Sequence, residues 1–197
     1  MTSIVLISGS LRADSVNSAA LATVARLLGR RSEPYRVSTL AIGELPFYDH
    51  DVEQADSSAE VRAARELVGA ADVVVISTPS YNGQAPGVLK NALDWLSRPY
   101  GASALTDTPV AVLSASPGPR GAADAQPALC GVLRRSGAVL VELQEGPVAI
   151  GNAERLRTAE GEFADPEVLA ALEGLLDATE TLLLERAQAE QSSAVPA

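Results

Sequence analysis

Apolar residues follow two patterns along this chain. The first is a set of short unbroken runs. Residues 3–8 (Ser-Ile-Val-Leu-Ile-Ser) stop at Gly9, residues 72–78 (Asp-Val-Val-Val-Ile-Ser-Thr) stop at Pro79, and residues 109–114 (Pro-Val-Ala-Val-Leu-Ser) stop before Ser116-Pro117-Gly118. Runs of this length, rich in β-branched residues and closed by Gly or Pro, predict strands buried on both faces. Residues 35–40 and 138–141 are weaker strand candidates. The second pattern is a helical stripe. In residues 86–96, Val88, Leu89, Ala92, Leu93 and Leu96 fall on one face of a 3.6-residue period. Residues 15–28, 59–70 and 125–133 repeat the pattern. A fifth helix follows Asp165-Pro166, an N-cap and a first-turn proline, with Val168, Leu172, Leu175, Leu176 and Leu183 facing inward.

Five buried strands alternating with five helices predict an α/β fold with a parallel, doubly wound sheet. The reading gives one domain over residues 1–185. Residues 186–197, rich in Ala, Gln and Ser, read as a frayed helix end and a disordered tail. Ligands of such sheets sit at the carboxyl ends of the strands, where strand order reverses. The loops after the first, third and fourth strands are therefore where function is to be sought.

Composition narrows the partners. The chain has 197 residues, a formal net charge of −10 and a single cysteine, Cys130. The acidic balance argues against nucleic acid and against an anionic membrane surface, both of which need clustered Lys and Arg. No apolar run approaches the ~20 residues of a membrane helix. Met1-Thr2-Ser3-Ile4 carries no basic leader, and one cysteine forms no internal disulfide, so the expected location is the cytoplasm. No clustered His or Cys suggests a metal site. His50 reads as a solvated loop residue, Cys130 as a small core residue, and Trp95, off the main stripe of its helix, as a dimer contact.

Three loops carry the chemistry. Residues 9–17 (Gly-Ser-Leu-Arg-Ala-Asp-Ser-Val-Asn) leave a strand and open a helix. Ser10, Ser15 and Asn17 offer polar side chains, Arg12 a guanidinium, and the helix start its free N–H groups. These donors suit a phosphate monoester. The same residues are also compatible with an ordinary strand-to-helix turn capped by Ser15. The second loop (Thr-Pro-Ser-Tyr-Asn-Gly-Gln-Ala-Pro-Gly, residues 78–87) sets Pro79 and Tyr81 where a flat ring could lie, and Gly83 lets backbone approach it. The third, residues 114–123, is small and rich in Gly and Pro.

These segments resemble the three signature segments of the NADPH-dependent FMN reductase family. The resembling stretches are GSLRADSVN, TPSYNGQAPGVLKNALDWLSRP and SASPGPRGAADAQ, with the connector Leu45-Pro46-Phe47-Tyr48-Asp49-His50-Asp51. The resemblance implies a flavodoxin-like three-layer fold, a five-stranded parallel sheet in order 2-1-3-4-5. It implies FMN and NADPH (or NADH) as cofactors, and a small-molecule electron acceptor such as free flavin, a quinone or an azo compound. By the same resemblance, Ser10, Arg12, Ser15, Val16 and Asn17 hold the FMN phosphate. Pro79, Ser80, Tyr81, Asn82 and Gly83 line the ring, and Ser116 and Gly118 close its far side. It also implies a homodimer, or a tetramer of dimers, with the 86–96 helix near the interface. Hydride would pass from nicotinamide to flavin N5 in a ping-pong scheme, with backbone near Gly83 polarising N5 and no side chain acting as acid or base. Two positions depart from the family pattern: Ser80 stands where Glu is usual, and Asp124 where Arg is usual. The competing reading is a flavodoxin-like electron carrier, whose phosphate loop is typically Thr-x-Thr-Gly-x-Thr.

Overall fold

The three strongest apolar runs become the three central strands. The computed structural model describes residues 1–55 and 58–193. In chain order it contains β1 (Thr2–Ser8), α1 (Val16–Leu28), β2 (Tyr35–Thr39), α2 (His50–Ala55), α3 (Ala59–Gly69), β3 (Val73–Thr78) and α4 (Gly87–Leu96). There follow β4 (Pro109–Ala115), α5 (Gln126–Arg135), β5 (Val139–Leu140), β6 (Val148–Ile150), α6 (Ala153–Leu156) and α7 (Pro166–Ser193). The sheet order is β2-β1-β3-β4-β5, all pairs parallel.

The layers follow from the alternation of side chains along a strand. Ile4, Leu6, Val73, Val75, Ala111 and Leu113 pack with α1 and α7 on one face. Val5, Ile7, Val74, Ile76, Val110 and Val112 pack with α3, α4 and α5 on the other. Each Val, Leu or Ile among them contributes about 1.5–3 kcal/mol when fully buried. Two buried faces explain why these strands are apolar at nearly every position.

The edge beyond β4 differs from the five-strand expectation. β5 pairs β4 only at its start, Pro109 and Val110, and a sixth strand, β6, pairs Leu113–Ala115 further along. The chain leaves the sheet between them, where Gly146-Pro147 interrupts it; proline cannot donate to a ladder. A cavity of about 1060 Å³ lies along this edge, between the 141–147 segment and the Ala170, Gly174 and Ala178 side of α7.

Helix α7 runs through Arg186 to Ser193, a stretch whose composition reads as frayed; residues 194–197 lie outside the described residues. Asp165 caps it by accepting from the N–H groups of Glu167 and Val168. Although α7 has 28 residues, no helix among the described residues is long and apolar enough to cross a membrane. Polar contacts lock α7 onto the sheet edge. Arg31 reaches Glu173 at 2.8 Å, Asp177 at 2.7 Å and Glu180 at 2.7 Å. The Tyr35 hydroxyl donates to Glu180.

Burial, and next the bond to Glu180, push the Tyr35 hydroxyl up to about 12 from its ordinary 10. A pKa raised by folding means that the neutral phenol stabilises the native state. That contribution is present below pH 10 and is lost as pH rises through about 12. In an ultraviolet titration of folded protein, Tyr35→Phe is expected to remove the last-ionising phenol. An unchanged final step in the variant would refute the assignment.

Trp95 corrects an expectation. It is 1% exposed, its indole N–H donates to Pro46 O at 2.8 Å, and the Tyr48 ring meets it edge-on at 5.0 Å. It pins the 45–49 connector to α4 instead of facing outward. Asn91 completes the pin, accepting from Tyr48 N–H at 2.7 Å and donating to Pro46 O at 2.8 Å. His50 is exposed at the start of α2, and Cys130 is half-buried, its thiol pushed up chiefly by burial.

Candidate functional site

The carboxyl ends of β1, β3 and β4 lie side by side, because β1 pairs β3 and β3 pairs β4 in register. The three loops seen in the sequence therefore meet at the point where strand order reverses, the expected ligand crevice of such a sheet.

The first loop turns on its own hydroxyls. Ser8 Oγ accepts from Ser10 N–H, and Ser10 Oγ accepts from Arg12 N–H. Ser15 is the N-cap of α1: its Oγ accepts from the N–H groups of Asn17 and Ser18. The capping turn and the donor-rich loop are thus both present. The N–H groups of Leu11, Ala13, Asp14, Ser15 and Val16 meet no protein acceptor among the described residues. Five N–H groups without protein acceptors, those of Ser15 and Val16 at the helix start among them, offer a donor set for an anion. Arg12 stands beside them, its side chain 60% exposed.

Asn17 is placed differently from its neighbours. It is 2% exposed and its side chain points between strands. Its Oδ1 accepts from Ser77 Oγ at 2.9 Å and from Ala115 N–H at 3.1 Å, and its Nδ2 donates to Ala115 O at 3.1 Å. This one amide ties α1 to the ends of β3 and β4. Gly9 N–H adds a bond to Ser77 O at 2.8 Å. Of the five residues expected around the phosphate, Ser10 and Arg12 offer side chains, and Ser15 and Val16 offer N–H groups. Asn17 holds the frame.

In the second loop, Tyr81 and Gln84 exchange backbone hydrogen bonds of 2.9 and 3.2 Å across Asn82-Gly83. Both turn residues have positive φ, +56° and +79°. Two left-handed residues make a type I′ turn, the conformation that Asn-Gly favours. Pro79 is buried beneath and Tyr81 is 52% exposed, so an aromatic face stands open beside the turn. A methyl group built on Gly83 would meet only Asp124 Oδ2, at 4.0 Å. The space before Gly83 is clear, and the Asp124 carboxylate stands at its border.

The third loop is fixed from below. Ser114 Oγ donates to Gly121 O at 2.6 Å, and Gln126 Nε2 donates to Ser114 Oγ and Val148 O, both at 2.8 Å. Gly121 sits at φ +59°, and a Cβ there would lie 2.5 Å from Ala149 C, so only glycine fits. Ser116 N–H donates to Ile150 O, and Asn152 N–H donates to Gly118 O. Ser116 and Gly118 are thus edge positions held by β6 and the turn after it. Sequence reasoning passed over this turn. Arg157, just after α6, donates to Asp14 O at 2.9 Å, and Glu154 reaches Arg12. A loop rich in free donors suits a phosphate, and an exposed aromatic beside unhindered backbone suits a flat ring.

Comparison with known proteins gives the family. The chain is 35% identical over 174 residues to a 2-hydroxy-1,4-benzoquinone reductase of a Burkholderia species, covering 88% of this chain and 92% of that protein. It is 35% identical over 175 residues to an NAD(P)H-dependent FMN reductase of Pseudomonas aeruginosa, covering 87% and 90%. Among solved structures it resembles FerB, a flavoenzyme NAD(P)H:(acceptor) oxidoreductase from Paracoccus denitrificans. The TM-score is 0.78 and the identity 32%, over 92% of this chain and 98% of that one. The family model for NADPH-dependent FMN reductase matches residues 2–154, a span that contains all three loops, and the chain belongs to that family.

Proposed function

We propose that the three loops bind one FMN, with its phosphate in the first loop and its ring on the second, and that this site reduces a small acceptor at the expense of NAD(P)H. The observation that carries this reading is the set of five N–H groups without protein acceptors beside Arg12, adjoining the open face of the Asn82-Gly83 turn. When bound, FMN would supply the redox chemistry, hydride acceptance at N5 from reduced nicotinamide and delivery of electrons to free flavin, a quinone or an azo compound in ping-pong order.

The protein binds and orients. The α1 N-terminus and Arg12 neutralise the phosphate; Ser10 and the N–H groups of Ser15 and Val16 complete its shell. Pro79, Ser80, Tyr81, Asn82 and Gly83 bear the ring, and Ser116 and Gly118 limit it on the other side. A backbone N–H near Gly83 would polarise the N5 region of the ring. Exposed Phe47, between the Pro46 and Tyr48 that contact α4, and exposed Tyr100, just after α4, support a homodimer with α4 near the interface.

The test is a visible spectrum of purified protein titrated with FMN, then anaerobic NADPH. Binding followed by rapid bleaching is the expected result. Bound flavin that neither NADPH nor NADH bleaches would favour an electron carrier, and absence of binding would overturn the site.

A further inference from the structure

The cation of the first loop is not free. Arg12 Nη2 lies 3.5 Å from Glu154 Oε1, and the two side chains are 60% and 50% exposed. Their separation along the chain is 142 residues, so the fold brings them together. Glu154 stands on a firm base. It belongs to the first turn of α6, which follows β6 directly, and Ala153 beneath it is fully buried. Ala153 N–H donates to Ser116 O at 3.0 Å, and Asn152 N–H to Gly118 O at 3.0 Å, so α6 is fastened to the third loop. From the other end of this segment, Arg157 holds the first loop's backbone at Asp14 O, with Asp14 Oδ1 3.9 Å away. The segment thus fixes the loop by one contact and occupies its cation by the other. The charges around the donor set, Arg12 with Glu154 and Arg157 with Asp14, sum to zero.

The structure assigns Glu154 the role of an internal counter-ion that competes with a phosphate monoester for Arg12 and so weakens the hold on FMN. This rests on the first loop being the phosphate site. A dianion entering the loop must separate Arg12 from Glu154 and then tolerate the carboxylate nearby. The N–H groups carry most of the binding, and flavin exchanges more readily than it would with an unopposed arginine.

The experiment measures dissociation constants for FMN and riboflavin by flavin fluorescence, in low and high salt. It uses the unaltered protein, Glu154→Gln, Arg12→Ala and the double variant. Exposed ion pairs are weak, so Glu154→Gln is expected to tighten FMN by about two- to five-fold in low salt. The gain should shrink in high salt, spare riboflavin, and fall away in the Arg12→Ala background. Arg12→Ala weakening FMN while Glu154→Gln leaves it unchanged, or tightens riboflavin equally, would overturn the role of Glu154 alone. Arg12→Ala without effect on FMN would overturn the phosphate site and this role together.

Discussion

Replacing Arg12 by Ala is expected to raise the dissociation constant for FMN by about 10- to 100-fold and to leave that for riboflavin nearly unchanged. A hydrogen bond to a charged group contributes about 1.5–3 kcal/mol, and each 1.4 kcal/mol is a factor of ten. Two features of the structure place the outcome toward the lower end of that range. The free N–H groups from Leu11 to Val16 remain in the variant, and Glu154 already offsets part of the guanidinium charge. Arg12→Lys should recover only part of the loss, since an ammonium keeps the charge but not the planar fork. The comparison with riboflavin separates a phosphate contact from a general loosening of the site. An equal loss for both flavins would mean that Arg12 supports the loop and does not touch the phosphate. Stability should be little changed, because the side chain is exposed and its one partner is a surface carboxylate.

What the sequence revealed and what it hid divide along physical lines. β1, β3 and β4 were legible because a strand covered on both faces must be apolar throughout, and α1 and α4 because a surface helix buries one stripe. Their order in the sheet came from family resemblance, not from periodicity. β6 was hidden because three residues between Pro147 and Gly151 make too short a run to separate from a loop. α2 was hidden because it buries no residue and so carries no stripe. Trp95 misled because its burial depends on Pro46 and Tyr48, which the 45–49 connector brings to it, and not on its own helix. The three loops were legible as local strings of Gly, Ser, Asn and Arg. Their counterparts were not: neither Glu154 nor Arg157 stands near the first loop in sequence, and counting cations along the chain makes Arg12 look unopposed. The polarity of Asn17 was visible, but whether its amide faced a ligand or the strands depended on where Ser77 and Ala115 would lie.

That last placement leads to the other large effect. Asn17→Ala is expected to lower the unfolding free energy by about 3 kcal/mol, within the range for breaking a buried hydrogen-bond set. The side chain satisfies Ser77 Oγ, itself fully buried, together with both backbone groups of Ala115. Removing it strands these groups where water has little access and leaves a small void at the α1 N-terminus. For a chain of this size about 3 kcal/mol corresponds to a fall in melting temperature of roughly 6–12 °C, read by calorimetry or circular dichroism on protein without flavin. Asn17→Asp makes the discriminating comparison. A carboxylate can still accept from Ser77 and from Ala115 N–H, but it buries a negative charge against Ala115 O, so it should destabilise through that repulsion and the desolvation of the charge instead of through three lost contacts. FMN binding, measured well below both melting temperatures, should weaken in Asn17→Ala, because the same amide sets the spacing between the phosphate loop and the ends of β3 and β4. If Asn17→Ala melted with the unaltered protein yet lost FMN, the side chain would have to leave the strands and meet the ligand directly, and the clamp would not exist in solution.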